Sequence, residues 1–320
     1  MNPDSTQWRQ ALEAHLGPGT IMGGVPLAPL TTFQIGGPAD LFFRATTAEE
    51  LVSVLTLSRE LGIPTFLLGR GANILVGDGG FRGLVVRSEM DGINFLDSHR
   101  VRAGAGLEVF PGLIQATVKE GLGGLHHFVG IPSSVGGAIW QNLHFLSPAP
   151  ARERTVFIEE FVESAEIFSE GGKREEVDRD YFSFGYDYSI LHDRSDVVLS
   201  VTFRLRPHPI PEMKRVMREN LQWRKERHPD LRLLPSAGSI FKKVEGVGAG
   251  RLIDACGLKG RTHGGAQIFE GHANIIVNMG GATATDVLAL MELAERTVYE
   301  ETGHTLVPEI TLVGEFLPRT

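Results

Sequence analysis

The amino-acid sequence predicts an α+β fold in which a domain of two subdomains precedes a smaller α/β domain. Helix-like and strand-like patterns alternate along the 320 residues, which is typical of a mixed fold. Many of the 39 glycines cluster at the ends of apolar, strand-like runs, as they do in loops whose backbone approaches a ligand. A proline-rich segment, 206–211, follows the last strand pattern of the first domain and predicts the domain boundary.

The composition excludes several classes of function. A net charge of −8 argues against a general nucleic-acid binder, which needs a basic surface. The single cysteine, Cys256, permits no internal disulfide and is consistent with a reducing compartment. No run has the character of a signal peptide core or of a membrane helix. We therefore expect a cytoplasmic protein that binds neither nucleic acid nor membrane and has no metal site, and we favour a monomer.

The N-terminal part is predicted to contain a helical extension, residues 1–27, and a first subdomain over about 28–88. In this subdomain Thr47 and Glu50 have the spacing of a capping box, so a helix is expected to begin there. The two strands that follow, and the glycine-rich loop between them, are predicted at 65–68, 84–87 and 69–83.

The second subdomain, about 89–210, and the C-terminal domain, 211–320, continue the alternation of helix and strand. Strands are expected near 100–103, 156–168 and 197–205, and helices near 110–120, 212–227, 249–256 and 284–302. The last helix is expected to end at Gly303. Its buried face is predicted to consist of Val287, Leu290, Met291, Ala294 and Val298.

The first glycine-rich motif follows the predicted strand at 65–68 and turns sharply before another apolar run. Successive N–H groups in such a turn form a nest for a phosphate group, and glycine lets the main chain approach a pyrophosphate. A plain glycine turn is the alternative. The spacing is not GxGxxG at the start of a helix, so a Rossmann dinucleotide fold is not indicated. The candidate cofactor-binding residues are Gly69, Arg70, Gly71, Ala72, Asn73, Ile74 and Leu75.

A second glycine-rich motif, 130–138, places two glycines shortly after a small hydroxyl residue. Its backbone and the Ser134 hydroxyl are candidates to contact a flat cofactor or its diphosphate. Two such segments in one mixed α/β chain are harder to explain as plain turns than either alone. The candidate residues here are Gly130, Ile131, Pro132, Ser134, Val135, Gly136 and Gly137.

Two polar residues near the C-terminus are candidates for catalysis. Ser239 follows a glycine without the GxSxG elbow of a hydrolase, so nucleophilic chemistry is not indicated. It is either a general acid toward a carbanion or a structural turn serine. Glu309 interrupts an apolar run over 307–313, where a carboxyl group is surface-facing, paired or functional.

In their order along the chain these motifs resemble the UDP-N-acetylenolpyruvoylglucosamine reductase family. The FAD-binding part is similar to that of the wider group of vanillyl-alcohol oxidase and p-cresol methylhydroxylase. The resemblance covers about 28–314 and is carried by 31–39, the two glycine-rich motifs, 236–243, 250–260, 271–278 and 307–314.

The resemblance implies noncovalently bound FAD that is reduced by NADPH. The reduced flavin then passes a hydride to UDP-N-acetylglucosamine enolpyruvate and yields UDP-N-acetylmuramate, a peptidoglycan precursor. It implies that Ser239 is the proton donor and that Glu309 helps to stabilise the enolate intermediate. Contacts with the substrate are implied for Tyr186, Lys242, Lys243, Lys259 and His272.

The chain departs from the family pattern after Tyr186, where an arginine that assists the substrate carboxylate is expected. Asp187 stands there, and we expect it to point away or to pair with an arginine. Arg152 and Arg194 are candidates to supply the missing cation. The segment 142–147 is also bulkier than the family pattern. Two rival interpretations stay open: another FAD-dependent oxidoreductase of the same fold, and an FAD- or nucleotide-binding module that has lost catalysis.

Overall fold

The computed structural model describes residues 5–317. Residues 1–4 of the predicted extension and 318–320 of the predicted C-terminal domain lie outside the described residues. The part of the chain that is described contains no helix long and apolar enough to cross a membrane.

The first subdomain is a four-stranded sheet covered by two helices. Its elements are α1 (Ser5–Leu16), β1 (Met22–Pro26), β2 (Pro38–Ala45), α2 (Ala48–Glu60), β3 (Thr65–Leu68), β4 (Ile74–Val76) and β5 (Phe81–Ser88). The sheet order is β1-β2-β5-β3, with β2 and β3 parallel to β5 and β1 antiparallel to β2. The predicted capping box is present, because the Thr47 hydroxyl accepts the amide of Glu50 and Glu50 caps the Thr47 amide. The N-terminal segment thus contributes a strand, β1, as well as a helix.

The second subdomain contains a five-stranded antiparallel sheet, a hairpin and two short helices. Its elements are β6 (Ile93–Phe95), β7 (Arg100–Gly104), α3 (Ile114–Lys119), β8 (Leu122–Gly123), α4 (Val135–Gln141), β9 (His144–Ser147), β10 (Arg154–Phe157), β11 (Val162–Phe168), β12 (Arg174–Asp178) and β13 (Val197–Arg204). The sheet order is β12-β11-β13-β7-β6, and β9 pairs with β10. The expected single strand at 156–168 is wrong, since a 3-10 turn at Ile158–Phe161 divides it.

The C-terminal part packs helices around a three-stranded sheet. Its elements are β14 (Arg206–Pro207), α5 (Ile210–Arg227), α6 (Ala249–Ala255), β15 (Thr262–His263), β16 (Ala266–Ile268), β17 (Ile276–Asn278), α7 (Ala284–Thr302) and β18 (Thr311–Val313). All five residues predicted for the inner face of α7 are buried, and the helix ends at Gly303 in the left-handed conformation.

The C-terminal part is tied to the first subdomain by a strand and by a helix cap. Strand β18 pairs in parallel with β4, so the predicted continuous loop over 69–83 is wrong at Ile74–Val76. A three-residue strand within a loop depends on a partner far away in sequence, and no local pattern announces it. At the start of α7, the carboxylate of Asp78 accepts the amides of Ala284 and Thr285 at 2.8 and 3.0 Å.

Candidate active site

The two glycine-rich motifs, distant in sequence, lie against each other. A Cβ atom at Gly69 would lie only 2.5 Å from the Ser134 hydroxyl, so any larger residue would separate them. Gly71 has a φ of +64°, and a Cβ there would come within 2.7 Å of the Leu30 carbonyl oxygen. These contacts explain the two glycines, because the Ser134 side chain and the Leu30 carbonyl occupy the space that a Cβ atom would need.

The first motif keeps its backbone donors free for a ligand. Within residues 5–317, no hydrogen bond engages the amides of Gly71, Ala72 and Asn73. Consecutive unengaged N–H groups beside a hydroxyl suit the diphosphate of FAD, so the residues fit the implied cofactor. The guanidinium of Arg70 is 2.9 Å from the Glu108 carboxylate. Leu75 is buried, and its side chain packs in the core of the C-terminal part.

The second motif runs into a helix. Helix α4 begins at Val135, because the Ser134 hydroxyl accepts the Gly137 amide at 3.3 Å. The amides of Val135 and Gly136 donate to the carbonyls of Leu107 and Ala105, both at 2.8 Å. These two amides are therefore engaged within the fold.

The C-terminal strand brings Glu309 to the first motif. The amide of Glu309 donates to the Ile240 carbonyl at 2.8 Å, next to Ser239 in sequence. The Glu309 carbonyl accepts the side-chain amide of Asn73 at 3.4 Å, and the amide of Thr311 donates to the Asn73 carbonyl at 3.0 Å. Hence the segments that carry Ser239, Glu309 and Asn73 meet at one place.

Glu309 lies in an electrostatic environment that favours its protonated form. Burial raises its pKa to about 8, and the Asp187 charge acts in the same direction while Lys242 opposes it. Burial also raises the pKa of Tyr186 to about 12, with Asp187 and Glu309 contributing. Tyr186, Asp187, Lys242 and Glu309 therefore form one interacting group, which we call the Glu309 cluster.

Asp187 is buried and takes part in this cluster, and its partner differs from the one expected. Its carboxylate lies 3.6 Å from Nδ1 of His144, and no arginine pairs with it among the ion pairs of residues 5–317. We expected Asp187 either to point away or to pair with an arginine. The arginine partner is wrong, and the Asp187 charge acts on Glu309. Asp187 has a φ of 53°, a left-handed conformation that aspartate tolerates better than most residues.

The two arginines considered as replacement cations lie elsewhere. Arg194 is 2.8 Å from the buried carboxylate of Asp196, and the Arg152 guanidinium lies 4.0 Å from the Trp223 ring. The nearby cation is Lys242. Its charge opposes the rise in the pKa of Glu309, and it adds to the effect of burial, which lowers the pKa of His192.

Sequence reasoning missed two histidines beside the cluster. His144 packs on Tyr186, with ring centroids 4.6 Å apart, and His192 stacks on Trp140 at 3.6 Å. His144 lies in the segment that departs from the family pattern, and that departure was the available signal.

The other predicted substrate contacts are not joined to Glu309 by any contact in the described part of the chain. Lys243 is exposed, and Lys259 forms an ion pair of 2.7 Å with Asp254. His272 is half-buried, which lowers its pKa, and its ring lies 5.7 Å from that of His228.

The fold and the paired glycine motifs define a flavoprotein, and the FAD binding domain family matches residues 39–178. A second family match, to the C-terminal domain of UDP-N-acetylenolpyruvoylglucosamine reductase, covers residues 228–313. The chain is an FAD-dependent oxidoreductase, with FAD as its cofactor.

Similar proteins resemble the chain over nearly its whole length. The UDP-N-acetylenolpyruvoylglucosamine reductase of Moorella thermoacetica is 39% identical over 297 residues, which cover 93% of this chain and 94% of the relative. The enzyme of Pelobacter propionicus is 38% identical over 298 residues, which cover 93% of this chain and 97% of the relative. The crystal structure of the Thermus caldophilus enzyme has a TM-score of 0.73 and 35% identity, and covers 90% and 97%. The chain belongs to the UDP-N-acetylenolpyruvoylglucosamine reductase family.

Proposed function

We propose that this protein uses NADPH and bound FAD to reduce UDP-N-acetylglucosamine enolpyruvate to UDP-N-acetylmuramate in peptidoglycan precursor synthesis. The observation that carries the proposal is the meeting of the Ser239, Glu309 and Asn73 segments beside the glycine motifs. FAD supplies the hydride transfer, and the protein supplies binding, orientation and a proton.

Ser239 is the proposed proton donor to the carbon next to the one that receives the hydride. Negative charge develops on the carboxylate side of the double bond, so a positioned acid lowers the barrier. Glu309, whose pKa of about 8 keeps it mostly protonated at neutral pH, donates a hydrogen bond to the developing enolate. Lys242 faces the substrate carboxylate in place of the arginine that Asp187 replaces.

The remaining binding roles follow the motifs. FAD is proposed to lie along the two glycine motifs, with direct contacts from the free amides of Gly71, Ala72 and Asn73. Tyr186 is proposed to contact the substrate near Glu309, and Lys243, Lys259 and His272 to contact it farther away. We place the protein in the cytoplasm as a monomer.

The domain boundary belongs to the same proposal. A boundary after residue 210 follows from the proline-rich segment. The packing favours one after α5, because Met213 of that helix is buried in the core shared by the two subdomains. The C-terminal domain would then begin near residue 228.

The two half-reactions of the Ser239→Ala variant test the function. Reduction of FAD by NADPH needs no proton from Ser239 and should keep the parent rate. Reoxidation by the enolpyruvyl substrate should slow by about 10²–10⁴-fold, as is typical when a general acid is lost. Stopped-flow absorbance of the flavin measures each half separately.

Ser236→Ala is the matched control, because it removes a hydroxyl three residues before Ser239, one that accepts the Gly238 amide at 3.4 Å. This variant should change the rates of the two half-reactions equally and only slightly. Normal reoxidation in Ser239→Ala would remove Ser239 as the acid. Bound flavin that oxygen reoxidises but the substrate does not would favour another oxidoreductase of this fold. Flavin that NADPH does not reduce would favour a module without catalysis.

A further inference from the structure

Arg152 is a cation held in place without an acidic partner. It lies in the turn between β9 and β10, where its backbone has a φ of 53° and its amide donates to the Pro148 carbonyl at 2.6 Å. Its guanidinium lies over the Trp223 ring at 4.0 Å, and its buried Nε has no hydrogen-bond partner in the described range 5–317. A fixed, half-buried guanidinium with a free donor is poised to bind a ligand.

Arg224 is a second such cation, on α5 one residue after Trp223. Its guanidinium lies 5.8 Å from the Phe145 ring, and burial lowers its pKa to about 10. Its side chain also passes close to Gly130, because a Cβ atom there would lie 3.5 Å from Nε of Arg224. Among residues 5–317, no ion pair involves Arg152 or Arg224.

Two uncharged imidazoles complete the surroundings. His228 lies 5.8 Å from Trp223 and 5.7 Å from His272, measured between ring centroids. Burial lowers the pKa of His228 to about 3, and the charges of Arg224 and Arg152 contribute. Histidines that remain neutral beside two arginines offer hydrogen bonds without adding like charge.

We propose that Arg152 and Arg224 form an anion site for a phosphate group of a nucleotide. Two guanidiniums without an acid favour a multiply charged anion, and planar N–H groups match phosphate oxygens. The inference rests on the proposed function, which supplies two such nucleotides. They are the UDP-sugar, through its diphosphate, and NADPH, through its 2′-phosphate.

Calorimetry on the FAD-loaded protein, without turnover, tests the site. UDP probes the diphosphate, and adenosine 2′,5′-bisphosphate probes the 2′-phosphate. Arg152→Met keeps an unbranched stem over Trp223 and removes the charge. We expect it to weaken the binding of at least one probe about tenfold or more. Weakened UDP binding assigns the site to the substrate, and weakened bisphosphate binding assigns it to NADPH.

Arg154→Met is the matched control, since Arg154 lies in the same hairpin but is exposed and pairs with Glu160 at 2.9 Å. It should leave both affinities within about twofold. The site is overturned if neither probe binds more weakly to Arg152→Met. It is also overturned if the loss of probe binding in this variant is matched by an equal loss of bound FAD. If UDP binding depends on Arg152 but the enolpyruvyl substrate does not reoxidise the flavin, the site stands and the proposed function fails.

Discussion

At the scale of single residues, the proton on Glu309 links stability to pH. Its pKa is 4.5 in an unfolded chain and about 8 in the fold, so the folded state binds the extra proton between these values. The contribution of Glu309 to stability is therefore fully present below pH 4.5 and is lost as the pH rises through about 8.

We expect Glu309→Gln to remove this part of the pH dependence. The glutamine cannot ionise. The urea concentration at the unfolding midpoint should therefore fall less for the variant than for the parent as the pH rises from 4.5 to about 8. Asp187→Asn should shift the descending limb of the parent curve to lower pH, since it removes a charge that raises the pKa of Glu309. Identical curves for parent and Glu309→Gln would contradict the raised pKa.

Lys242 offers a second test at the same scale. Lys242→Met should slow reoxidation of reduced flavin by the substrate about tenfold to a hundredfold, because it removes the one cation among residues 5–317 that acts on Glu309. Lys173→Met, which changes an exposed lysine in the turn between β11 and β12, serves as the control. Equal rates for the two variants in stopped-flow measurements would show that Lys242 does not face the substrate carboxylate.

At the scale of elements, the start of α7 depends on a residue from the first subdomain. Asp78 accepts two amides and the Thr285 hydroxyl at this helix end, in addition to the local cap by Thr283. Removal of the carboxylate leaves these donors without their partner and removes a negative charge from the positive end of the helix.

Asp78→Ala should therefore lower the free energy of unfolding by about 1–2 kcal/mol, the upper range for lost helix caps. Urea denaturation followed by circular dichroism measures the change. Asp91→Ala, at an exposed position, is the control and should lie within about 0.5 kcal/mol of the parent. Equal effects would mean that Asp78 contributes nothing beyond the local cap.

At the scale of the whole molecule, bound FAD should hold the two subdomains and the C-terminal part together. The glycine motifs come from both subdomains, and β18 ties the C-terminal part to β4 beside them. Because the cofactor binds only the folded chain, FAD at about one hundred times its Kd should add about 2.7 kcal/mol of stability.

We expect yellow protein whose melting temperature rises with added FAD. We expect the attachment to be noncovalent, and the contacts of three reactive side chains agree with this. His126 Nδ1 accepts the Gly124 amide, His127 contacts the Ser147 hydroxyl at 2.7 Å, and Cys256 lies in the C-terminal part. Denaturation followed by ultrafiltration should release all flavin. Flavin retained with the chain would contradict this expectation.

Features that depend on a few neighbouring residues could be predicted from the amino-acid sequence. The capping box at Thr47, the inner face and glycine end of α7, and the ordered motifs of the family were all readable, because caps, periodicity and left-handed glycines are local requirements. Three features became visible in the folded chain alone: β4 pairs with β18, His144 is the partner of Asp187, and Lys242 rather than Arg194 acts on Glu309. Strand partners and charge interactions depend on distance and burial between residues far apart in the chain, and no local pattern encodes either.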